Sequence, residues 1–541
     1  MRSTPVAGEI SVLDSTSVRA GIIEGGVAFL LLFAPFAFGG VETWAQGVIQ
    51  IACGAVFVAW AWRYDERPPD RSSFLVPGLR LPTLRGMWAA FGLFVALVVF
   101  QLIPLPASWI KGISPATDAL YTRTLPGYAK GEAIGPATIP AWLTGTGSAE
   151  DLAAAPETAL KAGRIPAVLG GDRPAPGPAR RTLSIYPYQT RQNLALLLCY
   201  AGIFVVVVAY FRTRVRLLRL LDTVVAVAFL VSLFGILQKF SSNGLMFWIR
   251  AGPHTDFFGP FVNRNSYAAF AGTVLPIAVG LFLAALYAWR RGNQEMLPRT
   301  LVYGFAAAIL ATGVGLSLSR GGMISVSLSM IMLLAWLLLL GRRGPELGVL
   351  GVLVVAAGAA LLWFRPGEII ERVETLSQGL STPTFAMRVV AWKRALVMAG
   401  DHLLVGTGLG SFRFAFLGYA PPGKAWWNTA HNEYIELVCD TGLVGAVLLG
   451  AGLVFYGRRV LRPSVLNGRA APYSFAGLVS GLTGLLIHST VSSNLQVPAN
   501  GLLLVVLSAS LVALVTREEA QMEGQKRHLQ RVRQQRKKTA P

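Results

Sequence analysis

Residues 301–340 read LVYGFAAAILATGVGLSLSRGGMISVSLSMIMLLAWLLLL, which is two apolar runs joined by a short polar turn. Each run is long enough to cross the hydrocarbon core of a bilayer as a helix, which takes about 17–25 residues. The turn contains Arg320, followed by two glycines. This stretch therefore predicts a pair of membrane-spanning helices with a permanent positive charge at one membrane surface.

Runs of this kind recur along the whole chain of 541 residues, of which 53% are hydrophobic and 14% are charged. A soluble protein of this length divides into domains with polar surfaces. The composition instead predicts an all-α polytopic membrane protein with about twelve transmembrane helices. The predicted spans are 21–40, 46–62, 86–103, 193–211, 216–238, 266–289, 301–318, 322–340, 346–363, 434–456, 471–490 and 499–516.

Two long polar segments separate these spans into groups. The predicted segments are a cytoplasmic N-terminus (1–20), spans one to three (21–103), an extracytoplasmic loop (104–192), spans four to nine (193–363), a large extracytoplasmic loop (364–433), spans ten to twelve (434–516) and a basic cytoplasmic tail (517–541). Lys and Arg concentrate in the short connectors on the side that holds both termini. The positive-inside rule therefore places both termini in the cytoplasm.

The net charge of +21 lies mostly beside the predicted spans. A nucleic-acid-binding protein concentrates positive charge on a soluble domain, so this charge indicates membrane topology and no nucleic-acid partner. The basic tail is either disordered or lies on anionic lipid. The three cysteines fall within predicted spans without metal-site spacing, so we expect neither a disulfide nor a metal site.

The stretch TAHNEYIEL, residues 429–437, places polar groups where the second loop enters an apolar helix. Titratable groups gathered at a membrane surface are costly to keep and commonly mark a functional site. His431 can accept a proton near neutral pH, as a general base does. Asn432 and Glu433 are candidates for substrate binding, and the alternative is that they cap and begin the helix.

Two arginines are candidates for binding an anion. Arginine matches phosphate oxygens with two parallel hydrogen bonds. Arg320 lies in the turn between two spans, where the alternative is a side chain that reaches lipid headgroups. Arg388 lies on an amphipathic helix predicted at 385–398, with Trp392 on the same face four residues later. The alternative for Arg388 is an ordinary charge on a solvated helix face.

Weaker candidates for substrate binding are Asn263, Asn265 and Trp427. The two asparagines open the sixth span, where they could cap the helix or contact sugar hydroxyls. Trp427 belongs to a Trp-Trp pair that could anchor the chain at the membrane interface or stack on a sugar ring. A further helix is predicted at 369–376, and the Pro-rich residues 174–178 are typical of a linker.

Several of these segments together resemble the O-antigen ligase family of bacterial inner-membrane glycan transferases, which includes O-antigen polymerases and O-linked protein oligosaccharyltransferases. The matching segments are GPFVNRN (259–265), SLSRG (317–321), Arg388 with Trp392, GTGLGSF (406–412), HNEY (431–434), DTGLVG (440–445) and HSTVSSNLQVP (488–498). The first long loop is longer than in the simpler lipopolysaccharide ligases.

The resemblance implies a metal-independent, inverting transfer at the periplasmic face of the inner membrane, without a cofactor. The donor would be a glycan on undecaprenyl pyrophosphate. The acceptor would be a lipid A-core sugar, another glycan chain or a protein hydroxyl. The resemblance assigns proton abstraction to His431 and stabilisation of the leaving pyrophosphate to Arg320 and Arg388. Membrane lipid, donor and acceptor are then the expected partners.

Two other classes of protein stay open. A flippase for the same lipid-linked glycan would have a similar number of spans, but flippases place charges inside the bundle and have short loops. A structural scaffold for an envelope polysaccharide machine is the third alternative. The functional candidates gather on one side beside a long loop, which favours an enzyme.

Overall fold

A computed structural model gives the fold and describes residues 7–62, 84–125, 128, 180–251, 256–344, 347–348, 351, 383–420, 428–461 and 471–539. The main helices are α1 (Ala7–Phe36), α2 (Thr43–Trp62), α3 (Arg85–Leu102), α4 (Ala107–Ile113), α5 (Pro115–Thr124), α6 (Pro187–Tyr210), α7 (Arg214–Ser241), α8 (Arg264–Arg290), α9 (Leu297–Leu316), α10 (Arg320–Leu339), α11 (Pro383–Asp401), α12 (Phe412–Ala415), α13 (Glu433–Val460), α14 (Ala471–His488) and α15 (Pro498–Thr539). Two short antiparallel strand pairs join them: β1 (Leu105–Pro106) with β2 (Arg180–Arg181), and β3 (Leu245–Met246) with β4 (Arg250–Ala251).

Within these described residues, ten helices are long and apolar enough to cross a membrane. The protein is therefore an all-α polytopic membrane protein, as predicted. The predicted span 471–490 corresponds to α14, a helix of 18 residues that is nearly all buried. The predicted span 346–363 lies almost wholly outside the described residues, so the count of twelve spans stays a prediction.

Helix α8 occupies the centre of the bundle, and the apolar window of its span is completely buried. It packs against α14 through glycines. A Cβ atom added at Gly477 would lie 2.7 Å from the carbonyl oxygen of Pro276, and one added at Gly481 would collide with the carbonyl oxygen of Thr273. Small residues four apart allow two helix backbones to approach closely in a membrane. The spacing of these glycines therefore sets the distance between α8 and α14.

The alternating helix directions define two ends of the bundle. Helices α8, α10, α13 and α15 begin at the end where α9 and α14 finish. The α9–α10 turn and the α14–α15 connection therefore lie together at this end, which we call the site end. The opposite end holds the beginnings of α7, α9 and α14, which line one cavity there.

Helix α13 is interrupted at Gly442, whose φ of 66° and ψ of −172° are not helical. The glycine-rich segment 406–410 packs into this interruption. Its Gly408 amide donates to the carbonyl oxygen of Asp440 at 2.9 Å, and its Gly410 amide donates to the Asp440 carboxylate at 2.6 Å. The first of these bonds satisfies a carbonyl oxygen that lacks its helical partner at the break, because the Val444 amide donates to Leu404 instead. The glycines of this segment are therefore explained by close backbone packing.

Helix α15 continues beyond its apolar part to Thr539. The basic tail 517–541 is therefore helical where the structure describes it, and the predicted alternative of a disordered tail was wrong. The carboxylate of Glu519 accepts a hydrogen bond from the buried guanidinium of Arg459 at 2.6 Å, which ties this helix to the end of α13. The predicted contact of this tail with anionic lipid stays a prediction.

Other predictions concern the two long loops. The predicted helix 385–398 is confirmed by α11. The predicted helix 369–376, the linker 174–178 and Trp427 lie outside the described residues. The first loop is described only near its two ends, where β1 pairs with β2.

We predict that Gly442→Ala destabilises the protein. Its backbone conformation is one that essentially only glycine adopts, at a strain of about 1–3 kcal/mol for other residues. An added Cβ would also collide with the carbonyl oxygen of Leu404. We expect a lower midpoint of thermal unfolding for the detergent-solubilised variant. Gly450→Ala is the matched control, because it lies in the same helix with no heavy atom within 4 Å of the added Cβ. Equal unfolding midpoints for the two variants would contradict this explanation.

Candidate active site

The backbone before His431 is held from both sides. The amide nitrogen of Ala430 donates to Glu436 Oε2 at 3.0 Å, and the carbonyl oxygen of Ala430 accepts from Trp392 Nε1 at 2.8 Å. His431 itself has a φ of 51°, in the left-handed region that few residues other than glycine adopt. Such strain persists only where the surroundings enforce it. The two bonds to Ala430 are part of that enforcement, so they help to hold the backbone that carries the imidazole.

Asn432 and Glu433 begin α13. The side-chain oxygen of Asn432 accepts from the amides of Tyr434 and Ile435 at 3.0 and 3.1 Å, which is the geometry of a helix N-cap. The Glu433 carboxylate accepts from the amide of Leu495 at 2.6 Å. Both side chains therefore have structural partners, and their role in substrate binding stays a prediction.

The turn that carries Arg320 is anchored to α8. Ser319 Oγ donates to Asn265 Oδ1 at 2.7 Å and accepts from the amide of Gly322 at 3.2 Å, so it caps α10. Leu318 has a φ of 54°, which is strained for a bulky residue. Arg320 is the first residue of α10. The direction in which its side chain leaves the helix is therefore set by a strained turn and a side-chain bond to Asn265.

Asn263 serves as the cap of α8, since its side-chain oxygen accepts from the amide of Asn265 at 2.8 Å. For Asn263 and Asn265, the predicted alternatives of helix capping and substrate contact are compatible, because the hydrogen bonds described here use only part of each side-chain amide. The capping role of Asn263 is confirmed, and contact with sugar hydroxyls stays a prediction for both residues.

Arg388 completes a group of three arginines that we call the cationic cluster: Arg264, Arg320 and Arg388. The guanidinium of Arg388 donates from Nη1 to the carbonyl oxygen of Val491 at 2.7 Å, which joins α11 to the α14–α15 connection. Burial, together with the positive charges of Arg264 and Arg320, lowers the pKa of Arg388 below its ordinary value. Arg264 forms an ion pair with Asp256 at 3.3 Å. The other two charges lie close enough to repel and have no carboxylate partner within the described chain, which suits an anionic ligand.

His431 lies within the electrostatic influence of this cluster. Burial of the imidazole and the positive charge of Arg388 lower the pKa of His431 from 6.5 to about 4. Both causes disfavour the imidazolium form. His431 is therefore neutral at neutral pH, with a ring nitrogen able to accept a proton.

The structure thus brings together most of the predicted candidates, from four separate parts of the chain. The positive charge of Arg388 acts on His431, and that of Arg320 acts on Arg388. Trp392 bonds to Ala430, the residue before His431, and Asn265 bonds to Ser319, the residue before Arg320. Sequence reasoning did not select Arg264 or Glu436 as site residues, although both belong to stretches that it singled out. The signal for Glu436 was its spacing of three residues from Glu433, because positions 433 and 436 are neighbours on one helix face.

Residues 305–450 match the model of the O-antigen ligase family. The fold and site define a multi-pass membrane protein with a cationic cluster and a neutral histidine at one end of its helix bundle. Over these residues the chain is similar to O-antigen ligases, which confirms the resemblance predicted from the motifs. The matched region contains Arg320, Arg388 and His431. A comparison with curated proteins gives no match.

We predict that Arg388→Gln raises the pKa of His431 from about 4 towards the ordinary value of 6.5, because it removes the neighbouring positive charge. Burial remains, so the pKa stays below 6.5. The measurement is an NMR titration of histidine-labelled protein, with the resonance assigned by its loss in His431→Gln. Arg394→Gln on the same helix is the control, because this exposed arginine does not affect the pKa of His431. Titration of His431 near 6.5 in the unaltered protein would refute the prediction.

Proposed function

We propose that the protein transfers a glycan from undecaprenyl pyrophosphate to an acceptor hydroxyl at the periplasmic face of the inner membrane. The observation that carries this proposal is the cationic cluster beside a neutral, partly buried histidine, since Arg320, Arg388 and His431 all lie within the matched residues 305–450. A pyrophosphate leaving group needs fixed positive charge, and an attacking hydroxyl needs a proton acceptor.

The arginines act on the leaving group. The bond between the anomeric carbon and the pyrophosphate oxygen breaks, and its electron pair remains on the pyrophosphate. Arg320 and Arg388 stabilise the negative charge that develops there. Because these guanidinium groups are held before the reaction begins, little reorganisation is needed in the transition state.

His431 acts on the acceptor. It takes the proton from the hydroxyl while the oxygen forms the new bond to the anomeric carbon, on the face opposite the departing pyrophosphate. The configuration at that carbon is therefore inverted. General base catalysis of this kind contributes roughly 10²–10⁴-fold in rate.

An apolar groove suits the polyprenyl part of the donor. It lies between α1 and α7, with a volume of about 570 Å³, and Leu and Phe side chains line it. The lining residues are Phe29, Leu32, Phe33, Phe36, Leu230, Leu233, Phe234 and Leu237. They belong to the ends of α1 and α7 that lie near the site end, so the groove could hold an isoprenoid chain with its pyrophosphate towards the cationic cluster.

We propose a lipid A-core sugar as the acceptor. Chain extension by a polymerase and transfer to a protein hydroxyl use the same base and the same leaving group. The three activities differ only in the molecule that supplies the hydroxyl, and the product therefore distinguishes them.

We predict that His431→Ala, Arg320→Ala and Arg388→Ala each reduce transfer at least about 100-fold. The assay uses purified protein in nanodiscs with an undecaprenyl-pyrophosphate-linked glycan and lipid A-core. It measures released undecaprenyl pyrophosphate and the mass of the product.

Arg394→Ala is the matched control for Arg388→Ala, because Arg394 lies exposed on the same helix. His528→Ala in the tail is the control for His431→Ala. Near-normal transfer by His431→Ala would refute its assignment as the base. A lengthened lipid-linked glycan would identify a polymerase, and movement of donor across vesicles without transfer would favour the flippase class.

We further predict that Trp392→Phe lowers kcat by roughly 5–30-fold with little change in the KM for donor. The variant removes the Nε1–H group that holds Ala430 but keeps an aromatic ring beside Phe385, whose centroid lies 5.6 Å from that of Trp392. The imidazole of His431 would then be less precisely placed. Trp109→Phe, at an exposed position on α4, is the control. A change confined to KM would indicate a binding role for Trp392 instead.

A further inference from the structure

A small cavity lies at the end of the bundle opposite the candidate active site. Its volume is about 90 Å³, and α7, α8, α9, α14 and α15 line it. Three arginines from three of these helices border it: Arg214, Arg299 and Arg517. The mechanism proposed above uses none of them.

The arginines differ in their partners. Arg517 pairs with Glu518 at 2.5 Å, while its buried Nε has no hydrogen-bond partner. Arg214 and Arg299 are exposed, and no carboxylate of the described chain forms an ion pair with either. The nearby carboxylate of Asp222 accepts a hydrogen bond from the hydroxyl of Tyr303, which lines the cavity. The cavity therefore has more positive charge around it than negative.

Three helices also begin beside this cavity. Arg214 is the first residue of α7, Arg299 lies in the first turn of α9, and Ala471 is the first residue of α14. The first amides of a helix lack partners within the helix, and they carry partial positive charge. The amide of Arg216 in α7 donates to Thr213 Oγ1, and the partial charges of the remaining first amides add to the field of the arginines.

The wall of the cavity is apolar. Leu217, Leu221, Leu281 and Leu514 line it and are each at least 97% buried. Electrostatic attraction between an anion and the arginines is stronger beside such a wall than in open water. An anion with a short carbon part would match both the charged mouth and the apolar wall.

We propose that this cavity binds a phosphate group. Arginine binds phosphate through paired, charge-assisted hydrogen bonds, and the volume suits one such group. The phosphate could belong to the headgroup of an anionic phospholipid or to free inorganic phosphate. By the positive-inside rule this end faces the cytoplasm, where anionic headgroups are available.

The test compares the unaltered protein with the double variant Arg214→Gln/Arg299→Gln. Native mass spectrometry measures how many phosphatidylglycerol molecules each protein retains when it is released from phosphatidylglycerol nanodiscs. Protein released from phosphatidylcholine nanodiscs serves as the comparison. Thermal unfolding in detergent is measured with sodium phosphate and with sodium chloride at equal ionic strength. We expect the double variant to bind the phosphate-bearing probe roughly tenfold more weakly.

The matched control is Arg290→Gln/Arg343→Gln, which removes the same charge from the same end of the bundle outside the cavity. Met296→Glu, at the mouth of the cavity, is a second variant that adds a repelling charge and leaves both arginines in place. Selective retention of phosphatidylglycerol would identify a headgroup site, and stabilisation by inorganic phosphate alone would identify a free-phosphate site. The proposal would be overturned if the double variant and the control variant lost phosphate binding to the same extent. It would also be overturned if neither the double variant nor Met296→Glu lost phosphate binding.

Discussion

Direct backbone contact between α8 and α14 is the constraint on which the site depends. Gly477 and Gly481 allow α14 to lie against the carbonyl oxygens of α8, and α8 is buried along its whole apolar length. The first turn of α8 holds the Arg320 turn through Asn265. The connection that follows α14 supplies the carbonyl oxygen that accepts from Arg388. A larger separation of these two helices would therefore move the two arginines of the proposed mechanism relative to each other.

Hydrogen bonds to the backbone then place the functional side chains. Trp392 and Glu436 fix the two polar groups of Ala430, next to His431, while Ser319 fixes the turn before Arg320. In both places a non-glycine residue adopts a left-handed backbone conformation. Local sequence preference would not produce these conformations, so tertiary contacts must stabilise them.

The sequence predicts the helical membrane architecture because hydropathy and span length depend on short segments of chain. It also singles out His431 and Arg320 as candidates, because charged and titratable groups at a membrane surface commonly mark a functional site. Arg388 by itself had the ordinary alternative of a charge on a solvated helix face, and its proposed role came from the resemblance to the family. It does not predict how Arg264 joins the cationic cluster, since that depends on how α8, α10 and α11 pack. The break in α13 at Gly442 was likewise hidden, because a glycine inside an apolar run predicts nothing about the segment that packs against it.

The proposed reaction also accounts for an apparent conflict in the site, namely a general base whose pKa lies near 4. An imidazole with that pKa is a weak proton acceptor. One of the two causes of the low pKa is the positive charge of Arg388, and a pyrophosphate bound to Arg388 would counter that charge. Binding of the donor would therefore make His431 more basic at the stage when the acceptor hydroxyl must lose its proton. The arginines would then stabilise the leaving group and also link activation of the nucleophile to the presence of the donor, so that the base acts when a glycan is in place.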